Sequence, residues 1–473
     1  MDDRQRNRLL GVLFVGVLMG ALDIAIVGPA LPAIQAEFGL DSRAGSWIFS
    51  AYVLANLVGT PLMAKLSDFF GRRAIYVLDV ALFAAGSLVV VLSHGSGAFW
   101  VLLVGRVVQG LGAGGIFPVA SAVIGDTFPP EKRGGALGLI GAVFGLAFII
   151  GPVIGGVLLP FGWQWLFVVN LPIAAVVVAL AWRLLPHHRV ADAGGFDWPG
   201  MLALALALGS LAYGLGAVDA SRFWTSVASL EVWPWLLGSA VAWVVLVRVE
   251  RNAPNPVFPL ALFGRRQLAL GYLLTAGAGL GEASLVFMPS LAVAALGVSA
   301  ATGSYLLMPV VAAMAVGSPL AGRLLDRLGS RTVIVAGVSV LAVGMFLLGR
   351  TSQSLAMFIV SGLLVGLGLS ALLGAPVRYV TLNETTAGER SAAQGLVTTF
   401  TSIGQLLGSA VVGAVAASSA GSAGYDAAYV TIGVVGLGLL VAALFLKSRE
   451  TESRPSAGTS RTRGRGRAGA SHA

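Results

Sequence analysis

The chain contains no cysteine, which excludes disulfides, thiolate metal sites and cysteine nucleophiles. Its four histidines, His94, His187, His188 and His472, are too scattered to hold an ion, so no metal is expected. Charge is scarce as well. Asp, Glu, Lys and Arg make up 11% of the 473 residues, whereas 57% are hydrophobic. Such a composition excludes an ordinary soluble domain. No polar catalytic cluster stands out, and an enzyme is not expected. The P-loop pattern Gly-x-x-x-x-Gly-Lys-Ser/Thr is also missing, so nucleotide hydrolysis of that kind is excluded.

What is present is apolar sequence in long runs. Fourteen segments are long enough to cross a hydrocarbon core, at about 9–29, 46–66, 74–93, 98–119, 135–159, 165–185, 198–218, 232–249, 268–289, 303–324, 331–349, 354–376, 391–417 and 426–446. They predict an all-α polytopic membrane protein with 14 transmembrane helices. Taken as alternating spans, they place nearly all of the 30 Lys and Arg on one side; Arg43, Arg222 and Arg350 fall on the other and Arg106 within a span. This positive-inside asymmetry predicts a cell (inner) membrane protein with both termini cytoplasmic. Tryptophans near the span ends, Trp163 and Trp165 among them, are expected in the interfacial belts. Beyond Ser448 the sequence Arg-Thr-Arg-Gly-Arg-Gly-Arg predicts a disordered basic tail that meets anionic lipid rather than nucleic acid. A monomer is expected.

An internal repeat organises the spans. Ala64–Arg73 and Gly322–Arg331 align at an offset of 258, matching Asp68 to Asp326, Gly71 to Gly329 and Arg73 to Arg331. The same offset carries spans one to six onto spans nine to fourteen, and Gly110 and Pro118 onto Gly368 and Pro376. The domains expected are an N-terminal six-helix bundle over 1–190, two inserted helices over 191–252, a C-terminal bundle over 253–447 and the tail over 448–473. Parallel halves of this kind form a transporter architecture with a midplane site between them.

Ionisable residues at bilayer depth are costly and mark function. Asp23 lies fourteen residues into span one and Arg106 eight residues into span four, at similar heights by helical rise. A buried guanidinium stays protonated and needs an acid, so Asp23 and Arg106 are expected to pair and to couple transport to protons. The offset sends Asp23 to position 281, next to Glu282, which gives the second half an acid at equal depth. Glu282 is expected to take part in proton coupling with Asp23 and Arg106 and, with Gln109 and Asn56, to line the substrate cavity.

At the basic edge, Gly71 permits a turn, Asp68 and its repeat Asp326 accept hydrogen bonds, and Arg72 and Arg73 anchor to headgroups or to Asp126. A latch between the halves is the expectation there. Asp79, five residues into span three, is expected at the interface or paired with that cluster. In span five, Gly151-Pro152 followed by Gly155 and Gly156 predicts a kink, since Pro152 withdraws the bond to the carbonyl of Phe148. Gly110, Gly112 and Gly115 spell Gly-x-Gly-x-x-Gly, but inside an apolar span this pattern serves helix packing and not dinucleotide binding.

Together these residues resemble a known family. Leu22-Asp23-x-x-Ile26-Val27-x-x-Ala30-Leu31-Pro32, the 64–73 loop, Arg106-x-x-Gln109-Gly110, Gly151-Pro152-x-x-Gly155-Gly156 and Trp163-Gln164-Trp165-Leu166-Phe167-x-x-Asn170-x-Pro172 are similar to the fourteen-span drug:proton antiporters of the major facilitator superfamily. Ala25, Gly28 and Ala64 depart from the usual threonine, asparagine and glycine of those motifs. The resemblance implies a proton-coupled efflux transporter of lipophilic small molecules, cations among them, working by alternating access with no cofactor beyond the proton gradient. It makes Asp23 the membrane acid, Asp68 the gate aspartate and Gly151 to Gly156 the kink of export. A narrow-specificity metabolite or antibiotic exporter, or a proton symporter, is the alternative.

Overall fold

Within a bilayer a chain satisfies its backbone polar groups only inside helices or closed barrels, and in the computed structural model every regular element described is a helix. The structure describes residues 3–186, 197–254, 256, 260–385 and 390–448. The basic tail expected beyond Ser448 lies outside them, as does the side chain of Asp326.

The first half comprises α1 (Asp3–Phe38), α2 (Ser42–Phe70), α3 (Arg72–Leu92), α4 (Phe99–Thr127), α5 (Pro130–Leu158), α6 (Trp165–Val168) and α7 (Asn170–Leu184). Next come α8 (Trp198–Gly216), α9 (Phe223–Val227) and α10 (Trp233–Glu250). The second half comprises α11 (Arg266–Leu285), α12 (Met288–Leu296), α13 (Ala300–Tyr305), α14 (Met308–Leu328), α15 (Ser330–Thr351), α16 (Leu355–Leu373), α17 (Ala375–Asn383), α18 (Arg390–Ala416) and α19 (Ser422–Leu444). Among the described residues 13 helical segments are long and apolar enough to cross a membrane, against the fourteen expected. The difference falls at α5, where part of the helix carries side chains outside the described set. Large apolar side chains such as Leu92, Leu202, Leu237 and Val316 point outward from the helices, as lipid-facing positions do and as soluble surfaces do not.

Packing repeats between the halves. α1 packs on α5, α2 on α4, and α3 on α4 and α7; correspondingly α11 packs on α18, α14 on α16, and α15 on α16 and α19. Gly71 and Gly329 join equivalent helices with φ of 98° and 80°, a region that penalises any residue with a Cβ. Pro61 of α2 and Pro319 of α14 also stand 258 apart.

One register differs from the expected alignment. A Cβ on Gly110 would strike the carbonyl of Tyr52, and one on Gly366 the carbonyl of Val310, its repeat partner at 258. Gly112 lies against the Phe83 amide as Gly368 lies against that of Leu341. Gly110 therefore corresponds to Gly366, not Gly368, and span four is offset by 256. The cause is a connection between α15 and α16 that is shorter than the one between α3 and α4. The Gly-x-Gly-x-x-Gly pattern packs helices, as expected: Gly110 meets α2, and Gly112 and Gly115 meet α3.

The inserted helix α8 touches both α2 and α18, and α10 packs on α8. Tyr213, Trp235 and Trp47 join in an aromatic cluster there, with ring centroids 4.5 and 6.0 Å apart. Trp163, expected in an interfacial belt, is instead buried and donates from Nε1 to Glu37 at 2.6 Å, closing the end of α1 over the α5–α6 turn.

Candidate functional site

Asp23 sits in the middle of α1 with no exposed surface. Arg106 of α4 donates from Nη1 to Asp23 Oδ2 at 2.6 Å and to Gln109 Oε1 at 2.8 Å, and from Nε to the Ile48 carbonyl at 2.9 Å. Gln109 Nε2 donates to Asp23 Oδ1 at 3.0 Å and to Ser87 Oγ at 2.8 Å. Asn170, the first residue of α7, approaches the same two acceptors at 3.4 and 3.3 Å. The guanidinium lies over the Tyr52 ring, 4.3 Å from its centroid, with Phe167 at 5.8 Å, so cation–π attraction supplements the ion pair.

Glycine makes this proximity possible. A Cβ at Gly86 would reach 2.7 Å from Gln109 Cγ, and one at Gly105 would reach 2.8 Å from the Val90 amide. Any larger residue would part α3 from α4 and withdraw Gln109 from Ser87. Removing two charges from water costs several kcal/mol per ion, and only close pairing with further hydrogen bonds offsets it. The network supplies those bonds to both oxygens of Asp23 and to Nε and Nη1 of Arg106, while Nη2 has no hydrogen-bond partner among the described residues.

A separate cavity lies across α1 from this network. Ile24, Ala25 and Gly28 of α1 face Glu282 of α11, Val310 of α14 and Gln405 of α18 across it, with Phe49 and Pro152 also in its wall. Glu282 is the ionisable residue of the lining, and Gln405 is the other polar side chain in it. Gln109 and Asn56, expected here, are absent from the lining. Gln109 is turned into the Asp23 network, and the backbone of Asn56 receives the Thr60 hydroxyl at 2.9 Å and packs against Gly114.

The repeat explains why the two acids face different ways. Gly281, at the position equivalent to Asp23, points into its own bundle, where a Cβ would meet Leu369 and Leu341 at 3.1 and 3.4 Å. Glu282 occupies the position of Ile24, and both line the cavity. At the positions of Arg106 and Gln109, under the 256 offset, the second half carries Gly362 and Val365. The polar network belongs to the first half alone.

The halves meet on the face opposite Gly71 and Gly329. Ser50 and Ser409 share a hydrogen bond of 2.6 Å, Ser42 Oγ donates to Tyr425 Oη at 2.9 Å, and a Cβ on Gly28 would come 3.2 Å from Val286. The Gly-Pro segment of α5 belongs to this seal. Ser304 donates to the Pro152 carbonyl at 2.8 Å, a Cβ on Gly155 would be 2.6 Å from Pro29 and Ser304, and Gly156 faces the Tyr305 ring. Gly151 lies against Ala25.

On the Gly71 face, Arg72 holds Asp68 at 2.6 Å and Asp126 at 3.1 Å and donates to Ser67 at 2.6 Å; Arg73 donates to the Leu185 carbonyl at 2.7 Å. These described ties run within the first bundle, where a latch between the halves was expected. The spacing is the cause: Asp68 and Arg72 are four residues apart across Gly71, and Asp126 ends the helix packed beside them. Ser87, Asn170, Tyr52 and Gln405 were not singled out as site residues from sequence. Asn170 stood inside a recognised motif, and Gln405, like Gln109, is an uncharged polar group in an apolar span; Ser87 and Tyr52 carry no such signal.

Two parallel helical bundles with a buried ion pair in one and a cavity between them define a membrane transporter. The chain belongs to the Major Facilitator Superfamily, whose description matches residues 13–281 and 268–470. It is 33% identical to the uncharacterized MFS-type transporter YfiU of Bacillus subtilis, over 86% of this chain and 79% of that one. It is 30% identical to the multidrug resistance protein Stp of Mycobacterium tuberculosis, over 87% and 76%, and 28% identical to multidrug resistance protein 3 of Bacillus subtilis, over 86% and 78%. Among solved structures, the D-xylose-proton symporter aligns with a TM-score of 0.65 at 16% identity, covering 93% of this chain and 98% of that one. The nucleoside transporter NupG aligns at 0.64 and 13%, covering 94% and 98%. Those two likenesses establish the fold.

Proposed function

We propose that this transporter is a proton-coupled exporter of lipophilic small molecules, cations among them, of the fourteen-span drug:proton antiporter type. The observation that carries the reading is the enclosed Asp23–Arg106 pair, an ionisable couple with no exposed surface in the core of one bundle. Intramembrane pairs of this kind mark proton and ion paths. A protonated Asp23 loses its charge attraction to Arg106, and Gln109 and Asn170 remain to hold the side chains. The strand of contacts through α1 then links that event to the cavity, because Asp23 and the lining residues Ile24 and Ala25 are consecutive.

The cavity suits the cargo. Its wall is mostly apolar, with one ionisable group, the carboxyl of Glu282, an arrangement that suits a lipophilic monocation better than an anion. The family also contains named multidrug transporters at this level of identity. In the proposed orientation the Gly71 face, the termini and the Arg72 cluster are cytoplasmic in the cell membrane, so the sealed face is the outer one and the cavity loads from inside. The driving force is the proton gradient, with no cofactor, and the working unit is a monomer.

The test is transport of a labelled lipophilic cation in proteoliposomes with and without an imposed pH gradient. Proton-driven accumulation that Asp23→Asn abolishes supports the reading. Gradient-independent transport, or wild-type rates from Asp23→Asn, rejects it. The narrow-specificity alternative is separated by a panel of unrelated compounds in the same assay.

A further inference from the structure

Eight residues from Ser87 along α3, ~12 Å by helical rise, lies a second buried carboxyl that the Asp23 network does not use. Asp79 has no exposed surface, and neither of its carboxyl oxygens has a hydrogen-bond partner among the described residues. It was expected at the interface or bound to the Arg72 cluster. In fact Arg72 is committed to Asp68, Asp126 and Ser67. The carboxyl occupies the place that a Cβ on Gly115 of α4 would take, and the Asp79 carbonyl lies where a Cβ on Gly112 would be. One turn towards the Gly71 face, Tyr76 is also fully buried, with an unpartnered hydroxyl set against Gly16 of α1.

The groups around it leave it uncompensated. α4 presents glycine, and its two charged residues, Arg106 and Asp126, bind Asp23 and Arg72. α2 brings Lys65, which lies over the Phe69 ring, and Asp68, which is on Arg72, at its Gly71 end, and Arg43, bonded to the Val218 carbonyl, at the other end. α7 brings only Arg183, at its last turn, and α6 brings no titratable residue. α1 carries Asp23, already paired, with its other charges in its first two turns and last turn. Among the described residues Tyr76, one turn away on the same helix, is its titratable neighbour. A lone carboxylate in such surroundings is expensive, and the group neutralises by taking a proton. Packing alone does not require an acid there. The second half makes the same helix crossing with Gly337 in place of Asp79, Ala371 in place of Gly115 and Ile334 in place of Tyr76, and Gly337 sits against the Ala371 methyl.

We propose that Asp79 is a second proton-binding site of the first bundle, distinct from Asp23, which holds a proton in this conformation and exchanges it with the aqueous phase on the Gly71 face. Proton uptake is the whole of the chemistry: carboxylate plus proton gives the neutral acid. Phe83, fully buried one turn from each, separates Asp79 from Ser87 and so from the Asp23 network. Arg72 marks the near end of α3, seven residues or ~10 Å from Asp79. Any share of this proton in transport rests on the antiport reading; the site itself does not.

Infrared difference spectroscopy of the purified full-length protein in lipid tests it without transport or substrate. A protonated carboxyl stretch is expected at neutral pH, shifted by carboxyl-13C aspartate labelling of the wild type, lost in Asp79→Asn and retained in Asp23→Asn. Raising the bulk pH should diminish the band, and lowering it should restore it. The labelled wild type keeps the test valid should Asp79→Asn fold poorly. No label-sensitive band, a band kept in a folded Asp79→Asn, or a band unmoved by pH overturns the proposal. A band that behaves as expected alongside gradient-independent transport would reject the antiport reading and leave Asp79 as a proton site.

Discussion

Asp23 and Glu282 stand one residue apart in the repeat, and that step turns their carboxyls to different sides of the first helix of each half, one into the bundle and one to the cavity. One residue is a rotation of about 100° on a helix. Asp23 therefore looks into its own bundle at Arg106, while Glu282 looks across the cavity at Ile24 and Ala25. In the proposed mechanism proton and cargo therefore do not compete at Asp23, and the two sites are joined through the body of α1, whose cavity side also carries Gly28 against Val286 and Ala25 against Gly151 of α5.

If α1 is the link, Asp23→Asn separates binding from driving force. The amide keeps the shape of the side chain and the bonds from Gln109, so the cavity should remain. Binding of a fluorescent lipophilic cation is expected within about threefold of wild type, with proton-driven flux reduced to background in a pH-jump assay.

Arg106 should be far more important to stability than to cavity shape. Arg106→Ala strands a buried carboxylate, at a cost of about 3–5 kcal/mol, seen as a markedly lower unfolding temperature in detergent. Arg106→Ala combined with Asp23→Asn removes the stranded charge and should recover most of the loss. A double variant no more stable than the single would show that the ion pair is not the cause.

Glu282→Gln removes the ionisable group of the cavity wall and keeps the size of the side chain. Affinity for monovalent lipophilic cations should fall roughly tenfold or more, about 1.4 kcal/mol per decade, with neutral lipophiles little affected. Equilibrium binding of a matched cationic and neutral pair measures the difference. Equal losses for both would dissociate Glu282 from charge recognition.

Gly156 allows the Tyr305 ring to seat against α5, and a Cβ there would displace the ring. Gly156→Leu should prop open the face that Ser304 and Pro152 close. The absence of native cysteine makes this measurable: a single reporter, Ser290→Cys, is buried in the closed state and should react faster with a polar thiol reagent in the Gly156→Leu background. Unchanged labelling would place the seal elsewhere.

Gly71 and Gly329 invite a matched pair of tests. Both hold positive φ, so alanine at either costs about 1–2 kcal/mol. Equal losses of thermal stability are expected from Gly71→Ala and Gly329→Ala, reflecting the repeated turn.

The sequence by itself determined the helical membrane character, the repeat and the depth of Asp23 and Arg106, because hydropathy and helical rise are properties of local sequence. It also exposed Gly71 and the Gly151–Gly156 segment, since glycine and proline act on the backbone where they stand. Direction was decided only by tertiary packing. Whether Gln109 faced the cavity or Asp23, whether Arg72 latched two halves or tied three helices of one, and whether Asp79 found a partner all depended on rotations of about 100° per residue and on how closely glycine let α4 approach α2 and α3. Depth along a helix accumulates from residue counts, but azimuth is fixed by neighbours distant in the chain. For that reason the two acids looked equivalent in sequence and are not equivalent in space.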